Sequence, residues 1–390
     1  MTDALRLVDI TEDHLEDVLR IRKWSFGTSA SGDRDEWWKY ALMFIEDGRY
    51  VGVADGDEVV AAARLWNFEQ WWGGRRLPQA GVAGVVVSPE YRGRGVGSML
   101  MRGVLRRGVE KGYPLSALYP ATTVIYRQLG YEFGGARYKF SFPAADLRRL
   151  GGKGVRIRRA GPDDAGRFLE LASRSNESRR SNGPLIWPLD EVEAWLADED
   201  NTAYLADDGF VLYNWAGDDE LSIDELIAGS EETARALWAI VGSGSSIART
   251  VHAYLPPTDP IHFMLEHEAD KATEVQRWML RLLDAPAAIA GRGFPAGVDL
   301  DADIRIDDPD VPENTGDWHL SIADGAGQLT PAQPSGDALR LGPRGLAGLY
   351  AGTPVAALRV AGLAGGGPTS VDPLVDAAFT GSTSYMLDYF

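Results

Sequence analysis

A glycine-rich stretch between two apolar patterns is the part of the sequence best suited to bind an anion. The valine run 85–87 has the character of a buried strand, and Pro89 ends it. Glycines follow at positions 93, 95 and 97, and apolar residues then recur at helical spacing: Met101, Val104, Leu105 and Val109. Without Cβ atoms, the backbone N–H groups of such a turn can approach a phosphate closely, and the helix start adds partial positive charge. We therefore predict a phosphate-binding turn between a strand and a helix.

Two common nucleotide-binding motifs fit this stretch less well. A dinucleotide fingerprint requires a third glycine at position 98, where the sequence has Ser98. A Walker loop requires a lysine after its last glycine, and none is present. Instead, Arg92, Arg94 and Arg102 add positive charge near the glycines, which suits the pyrophosphate of coenzyme A.

The full string resembles the acetyl-CoA motif of the GNAT superfamily of N-acetyltransferases, written V-x-P-x-x-R-x-x-G-x-G. Each defined position is matched, by Val87, Pro89, Arg92, Gly95 and Gly97. The superfamily's next segment, Tyr-x-x-x-Gly-(Tyr/Phe), is matched in the right order by Tyr126, Gly130 and Tyr131. A glycine turn without a ligand is the alternative, and two motifs at the right spacing argue against it.

This resemblance implies that acetyl-CoA is the co-substrate. In the superfamily the valine strand is splayed from the next one, so that its N–H and C=O groups are free for the pantetheine arm and the thioester. The residues expected to bind acetyl-CoA are Val85, Val86, Val87, Arg92, Gly93, Arg94, Gly95, Val96, Gly97, Ser98, Ala121 and Thr122.

The expected reaction is the attack of a neutral amine on a thioester carbonyl, which requires a proton for the leaving thiolate. Tyr126 is the predicted proton donor, because the ordinary pKa of a tyrosine, ~10, is close to the ~8.5 of a thiol. The alternative is that Tyr126 only packs in the core.

Two GNAT-like units followed by a small α+β domain resemble the Eis (enhanced intracellular survival) family, whose last domain is similar to sterol carrier protein. This resemblance implies a homohexamer, and a base that is the main-chain carboxylate of the final residue, here Phe390. An ordinary α-carboxyl, with a pKa of ~3.5, is a weak base unless burial raises its pKa or water relays the proton. A frayed tail is the alternative. The apolar ending Tyr389–Phe390 favours docking.

The fold class that follows is α/β with mixed sheets: tandem GNAT domains and then a sterol-carrier-like α+β domain. We predict a catalytic domain over 1–150, a degenerate second GNAT domain over 151–290 and the third domain over 291–390. Residues 155–158 and 162–164 repeat the strand-and-helix start of residues 5–13, which suggests duplication. The second copy has only Gly242–Ser246 as a comparable glycine stretch, and Leu150–Gly154 has the composition of a linker.

Patterns in the third domain predict strands over 302–307, 318–322 and 338–341. Helices are predicted over 342–350, 355–360 and 371–379.

The composition limits the partners. The 390 residues carry a net charge of -18, which argues against nucleic-acid binding and favours cationic acceptors. Family acceptors are multivalent amines, including aminoglycosides, and peptide lysines. The predicted walls of the acceptor groove are Trp24, Phe26, Trp37 and Trp38, with core packing as the alternative.

Other features exclude whole classes of site. Absence of cysteine removes disulfides and thiol nucleophiles, and His262 and His267 are wrongly spaced to share a helix face, so no metal is expected. With an acidic start and no long apolar run, we expect a cytoplasmic protein without membrane contact. The predicted function is acetyl transfer to primary amines of a small polyamine-type acceptor such as an aminoglycoside. The alternatives are a protein lysine Nε-acetyltransferase and a non-enzymatic binding module with a vestigial GNAT unit.

Overall fold

The computed structural model describes residues 5–27, 34–152, 154–266 and 271–390, except for the side chains of Glu36 and Lys271. Lys153 of the predicted linker and His267 therefore lie outside the described residues. The strands are β1 Arg6–Asp9, β2 Tyr50–Asp55, β3 Glu58–Trp72, β4 Arg75–Val87, β5 Leu115–Leu118, β6 Glu132–Pro143, β7 Arg158–Arg159, β8 Leu185–Ile186, β9 Asn201–Ala206, β10 Gly209–Trp215, β11 Glu220–Ala228, β12 Thr250–Tyr254, β13 Lys271–Leu282, β14 Leu300–Ile306, β15 Gly316–Ala323, β16 Ala326–Pro331, β17 Leu339–Leu341 and β18 Ala364–Gly365.

The helices connect these strands and cover the sheet faces. They are α1 Leu15–Phe26, α2 Arg34–Glu46, α3 Val96–Glu110, α4 Thr123–Gln128, α5 Ala144–Arg149, α6 Ala165–Ser178, α7 Leu189–Ala197, α8 Glu231–Gly242, α9 Ile261–Met264, α10 Ala285–Gly291, α11 Pro343–Tyr350, α12 Val355–Val360 and α13 Asp372–Phe379. Among the described residues, no helix is long and apolar enough to cross a membrane.

One large sheet joins the first two units of the chain. Its order is β1-β2-β3-β4-β5-β13-β6-β12-β11-β10-β9-β7, and β8 pairs separately with β3. The two units interlock, because β13 of the second unit lies between β5 and β6 of the first and is antiparallel to both. In turn, β6 pairs with β12 of the second unit. The sheet is therefore continuous across the boundary between the units.

The two units repeat the same local plan, as the sequence predicts. In each, a short strand leads through a 3₁₀ turn to an amphipathic helix, α1 or α6. The strand predicted over residues 155–158 is shorter in the structure. It is β7, Arg158–Arg159, which pairs with β9. The glycine stretch Gly242–Ser246 lies at the end of α8 and not before a helix. The turn that precedes α8 is Gly229–Ser230.

The third unit has its own sheet, in the order β16-β15-β14-β17-β18. Its strands β14, β15 and β17 and its helices α11, α12 and α13 lie where the sequence patterns predict them. A fully buried ion pair ties this unit to the large sheet, since Arg281 of β13 donates to Asp308 at 2.6 Å. Asp310 and Glu313, which follow, pair with arginines of α3.

Candidate active site

The glycine-rich turn leads from β4 into α3 and exposes its backbone. Gly93 and Gly95 have φ of +73° and +82°, which favour glycine over residues with a Cβ, and the space next to both is open. Gly95 is the N-cap of α3, so the N–H groups of Val96, Gly97 and Ser98 have no partner within the helix. The first turn of α3 holds no acidic residue. These donors can therefore bind a phosphate without repulsion.

The arginines of the turn are exposed and only partly engaged. Arg92 donates through Nε to the carbonyl of Val87 at 3.1 Å, and through its guanidinium to Ser25 at 3.2 Å. The guanidinium of Arg94 lies 5.1 Å from the ring centre of Tyr91. Arg102, by contrast, is paired with Asp310 at 2.8 Å. Arg92 and Arg94 are thus available to anions.

Strands β4 and β5 separate beside this turn. They pair in parallel only over residues 79–81 and 115–117, so residues 82–87 have no strand partner on that edge. A bulge opposite Ala62–Arg64 contains Gly84, with φ of +61°. The predicted cofactor residues Val85, Val86 and Val87 lie in this segment. We call the gap between the two strands the fork.

Tyr126 lies in α4, on the far side of the fork. Its side chain is buried in the core that also contains Val82 and Leu100. Burial, with a smaller effect from Tyr389, raises the pKa of Tyr126 to about 12. Tyr126 is therefore protonated at neutral pH. Ala121 and Thr122 are exposed and precede α4, with Thr122 as its N-cap.

The last residues of the chain dock along both GNAT-like units. Tyr385 pairs in parallel with Ala136 of β6 and donates its N–H to the carbonyl of Asn182 at 3.0 Å. Arg137 then donates to the carbonyl of Leu387 at 2.6 Å. We call residues 382–390 the C-terminal segment. These contacts hold the segment against both units, so it is docked and not a frayed tail.

Phe390 ends this segment at the fork. Its ring centre lies 5.1 Å from that of Phe68 on β3 and 5.6 Å from that of Tyr119 just after β5. A Cβ added to Gly81, where β4 leaves β5, would lie 3.0 Å from the Phe390 ring. The hydroxyl of Tyr119 donates to the carbonyl of Asp388 at 2.7 Å. The chain end and the predicted cofactor strand therefore meet.

A cavity of about 710 Å³ lies beside the C-terminal segment, between the first and second units. Its carboxyl groups come from Glu191, Asp224, Glu225 and Asp388. Burial raises the pKa of each: Asp224 and Asp388 to about 6, and Glu225 to about 8. Trp187 donates to the carboxylate of Asp388 at 2.8 Å and partly opposes the effect there. We call this space the acceptor cavity.

Only part of this cavity is predicted by the sequence. Of the predicted aromatic walls, Trp37 lines it, whereas Trp24 and Phe26 are about half exposed on α1 and Trp38 contacts Arg34; these three are not in its lining. The acidic groups of the second unit and Asp388 were not singled out. The one signal in the sequence for these acidic groups is Asp388, an acidic residue within an apolar chain end.

Comparison with known proteins identifies the family. A solved structure from Kribbella flavida, described as a GCN5-related N-acetyltransferase, is 66% identical, covers 100% of this chain and 99% of its own, and superposes with a TM-score of 0.97. The chain belongs to the GCN5-related N-acetyltransferase (GNAT) family. Models of the acetyltransferase (GNAT) domain match residues 6–134 and 183–282, and a sterol carrier protein domain model matches 285–387. The predicted fold class is confirmed.

The predicted likeness to Eis is also confirmed. The N-acetyltransferase Eis of Mycobacterium tuberculosis is 27% identical over 86% of each chain. Eis1 of Mycobacterium abscessus shares the fold, with 21% identity, a TM-score of 0.77 and coverage of 99% of this chain and 100% of its own. The protein is therefore an Eis-like GNAT acetyltransferase that transfers acetyl groups to amines, and GNAT acetyltransferases take acetyl-CoA as co-substrate.

Replacement of Gly95 by alanine is expected to weaken acetyl-CoA binding by about tenfold. A Cβ at φ of +82° costs about 1–2 kcal/mol, and relief of that strain would turn the N–H groups of the turn away from the phosphates. The measurement is the dissociation constant of acetyl-CoA by isothermal titration calorimetry.

Gly112→Ala is the matched control, because Gly112 has φ of +75° and open space at the other end of α3. It should lower the melting temperature similarly without changing acetyl-CoA affinity. Equal affinities in the two variants would contradict a role for the Gly95 turn.

Proposed function

We propose that this GNAT protein acetylates primary amines of a small polycationic acceptor of the aminoglycoside type. The observation that supports the proposal is the group of four carboxyls in the acceptor cavity, beside the C-terminal segment. An ammonium group placed near them favours their ionised forms and would lower the raised pKa values. Several carboxyls in one cavity suit an acceptor that carries several ammonium groups.

The walls of the cavity support a small acceptor. Both GNAT units and the C-terminal segment line it, with aromatic rings from Trp66, Trp187 and Trp195 among the acids. Trp187 packs edge-to-face against Trp66 and Trp195, with ring centres 6.1 and 5.1 Å apart. Such faces attract cations and add apolar contact for a sugar or alkyl chain.

The proposed chemistry is direct attack. The amine nitrogen bonds to the thioester carbon while its proton passes to the carboxylate of Phe390, directly or through water. The carbon–sulfur bond then breaks, and the thiolate takes its proton from the hydroxyl of Tyr126. With its pKa near 12, Tyr126 is a weaker acid than the sequence suggested. A thiolate in the same apolar surroundings is also a stronger base than in water, which offsets the difference.

The hexamer implied by the family resemblance remains a prediction, as does the cytoplasmic location expected from the acidic start and the absence of a long apolar run. Comparing acceptors distinguishes acetylation of a small polyamine from acetylation of a lysine side chain in a peptide.

The acceptor proposal is tested by thiol release from acetyl-CoA with an aminoglycoside, a linear polyamine and a lysine peptide. We expect the multivalent amines to react best, and Glu225→Gln to raise their KM by about tenfold, as the loss of one charge-assisted contact would. Glu170→Gln, an exposed change on α6, is the control. Preference for the peptide would favour the lysine alternative, and release with none of these amines would leave a binding module.

Tyr126→Phe is expected to lower kcat about 10²–10³-fold with little change in the KM for acetyl-CoA, because only the proton donor is lost. Steady-state kinetics measure both constants. Tyr131→Phe is the control: Tyr131 bonds to Ser116 at 2.8 Å, and the family segment accepts either residue there. If Tyr126→Phe has no larger effect on kcat than Tyr131→Phe, Tyr126 is a packing residue only.

A chain with Phe390 converted to its C-terminal amide, made by protein ligation, is expected to lose at least 100-fold in kcat. The ring keeps its contacts with Phe68 and Tyr119, so only the charge changes. The ligated acid is the control, and acetyl-CoA affinity should be equal in both. An amide as active as the acid would rule out the carboxylate as base.

A further inference from the structure

Three residues that line one corner of the acceptor cavity carry side-chain N–H donors without acceptors. The side-chain nitrogens Arg64 Nε, Trp37 Nε1 and Trp66 Nε1 are all buried and, in the part of the chain that the structure describes, have no hydrogen-bond partner. All three residues line the cavity. We call them the Arg64 corner. Buried donors are usually paired, and each unpaired group costs about 1–3 kcal/mol. Three in one corner therefore call for an explanation.

Arg64 lies on β3, opposite the bulge of β4. Its Nε would be 3.8 Å from a Cβ at Gly84, and its guanidinium lies 5.1 and 5.6 Å from the ring centres of Phe44 and Trp66. Among the described residues, no carboxylate lies within ion-pair distance of Arg64. Burial lowers the pKa of Arg64, and Arg22, with the same charge, adds a smaller effect in that direction, while Tyr50 partly opposes both. The corner is thus cationic and rich in donors.

A second arginine in the same core shows how such a charge is otherwise stabilised. Arg49 lies 5.0 Å from the same Phe44 ring. It is paired with Asp47 at 2.7 Å and donates to the carbonyl of Leu65 at 2.7 Å. Packing among aromatic residues therefore does not by itself account for the state of Arg64. The difference is that Arg64 faces the cavity.

We propose that the Arg64 corner binds a carboxylate of one of the reacting molecules, so that the enzyme acts on a substrate pair that carries an anionic group in addition to the amine. This inference rests on the acyl transfer to amines in the proposed function, and it adds an acidic group that neither an acetyl group nor a purely cationic acceptor carries. A carboxylate only accepts hydrogen bonds, and the corner offers only donors. The cavity is then bipolar. Glu191, Asp224 and Glu225 of the second unit take ammonium groups, and Arg64 of the first unit takes the acid.

The carboxylate has two possible sources. It can belong to the acceptor, as in an amino acid or another amine that carries an acid. It can also belong to the acyl donor, as in a dicarboxylic acyl-CoA, since Gly84 lies on the strand predicted to hold the thioester. The chemistry at Arg64 is the same in both cases.

A binding experiment tests the corner without turnover. Glutarate is titrated into the wild-type protein while tryptophan fluorescence is followed, because Trp37 and Trp66 lie in the corner. We expect saturable binding that Arg64→Gln weakens by at least tenfold and that Arg49→Gln leaves within threefold. Absence of binding in the wild type, or equal loss in both variants, would overturn the proposal. A failure of acetyl transfer to amines would not affect this readout.

Matched substrates identify the source. In the first pair, acetyl-CoA is the acyl donor and lysine is compared as acceptor with cadaverine, which lacks only the carboxylate. In the second pair, cadaverine is the acceptor and succinyl-CoA is compared as acyl donor with acetyl-CoA. Arg64→Gln should lower kcat/KM about 10–100-fold for the acidic member of one pair and leave its partner within threefold. Selective loss of kcat/KM in the first pair assigns the carboxylate to the acceptor. Selective loss in the second pair assigns it to the acyl donor. Equal effects on both members of both pairs would overturn the proposal.

Discussion

The separation of β4 from β5 is the constraint on which the rest of the site depends. Backbone groups in the middle of a sheet normally bond to a neighbouring strand, and a strand edge without one must be matched by something else. Here residues 82–87 face a gap, with the open turn of α3 at one end and Phe390 at the other. The same gap leaves room for a linear thioester and brings the chain end to it. In the proposed function, this single local defect in strand pairing serves both to bind the thioester and to bring the chain end to it.

The second unit has the same defect but a different use for it. Strands β11 and β12 pair in parallel only as far as Ile223 and Ala253, so the following residues of β11 are again without that neighbour. The turn into α8, however, is capped by the hydroxyl of Ser230, and Glu231 and Glu232 follow at once. Negative charge there disfavours a phosphate. The freed segment instead carries Asp224 and Glu225 into the acceptor cavity. In the proposed function, the first unit thus provides the acetyl-CoA half of the site and the second unit the amine half.

Much of this arrangement could be predicted from local sequence. The glycine turn, α3 and the strands and helices of the third unit follow from short-range patterns, because each depends on the spacing of a few neighbouring residues. The acceptor cavity could not be predicted in this way. Its walls come from β3, α7, β11 and the C-terminal segment, and no local pattern shows that these elements meet. For the same reason the charge at Arg64, in an ordinary strand pattern, gave no signal. The comparisons support the family, while the roles of Tyr126 and Phe390 remain proposals.

The interlocked strands also affect how the protein can fold during synthesis. The first GNAT unit closes its sheet only when β13 pairs between β5 and β6, and β13 ends at Leu282. A ribosome adding about 5–20 residues per second must therefore extend the chain well beyond the first unit before that gap can be filled. Until then, two strand edges stay open, which is the kind of surface that chaperones shield from aggregation. The order of the strands thus delays assembly of the first GNAT unit until most of the chain exists.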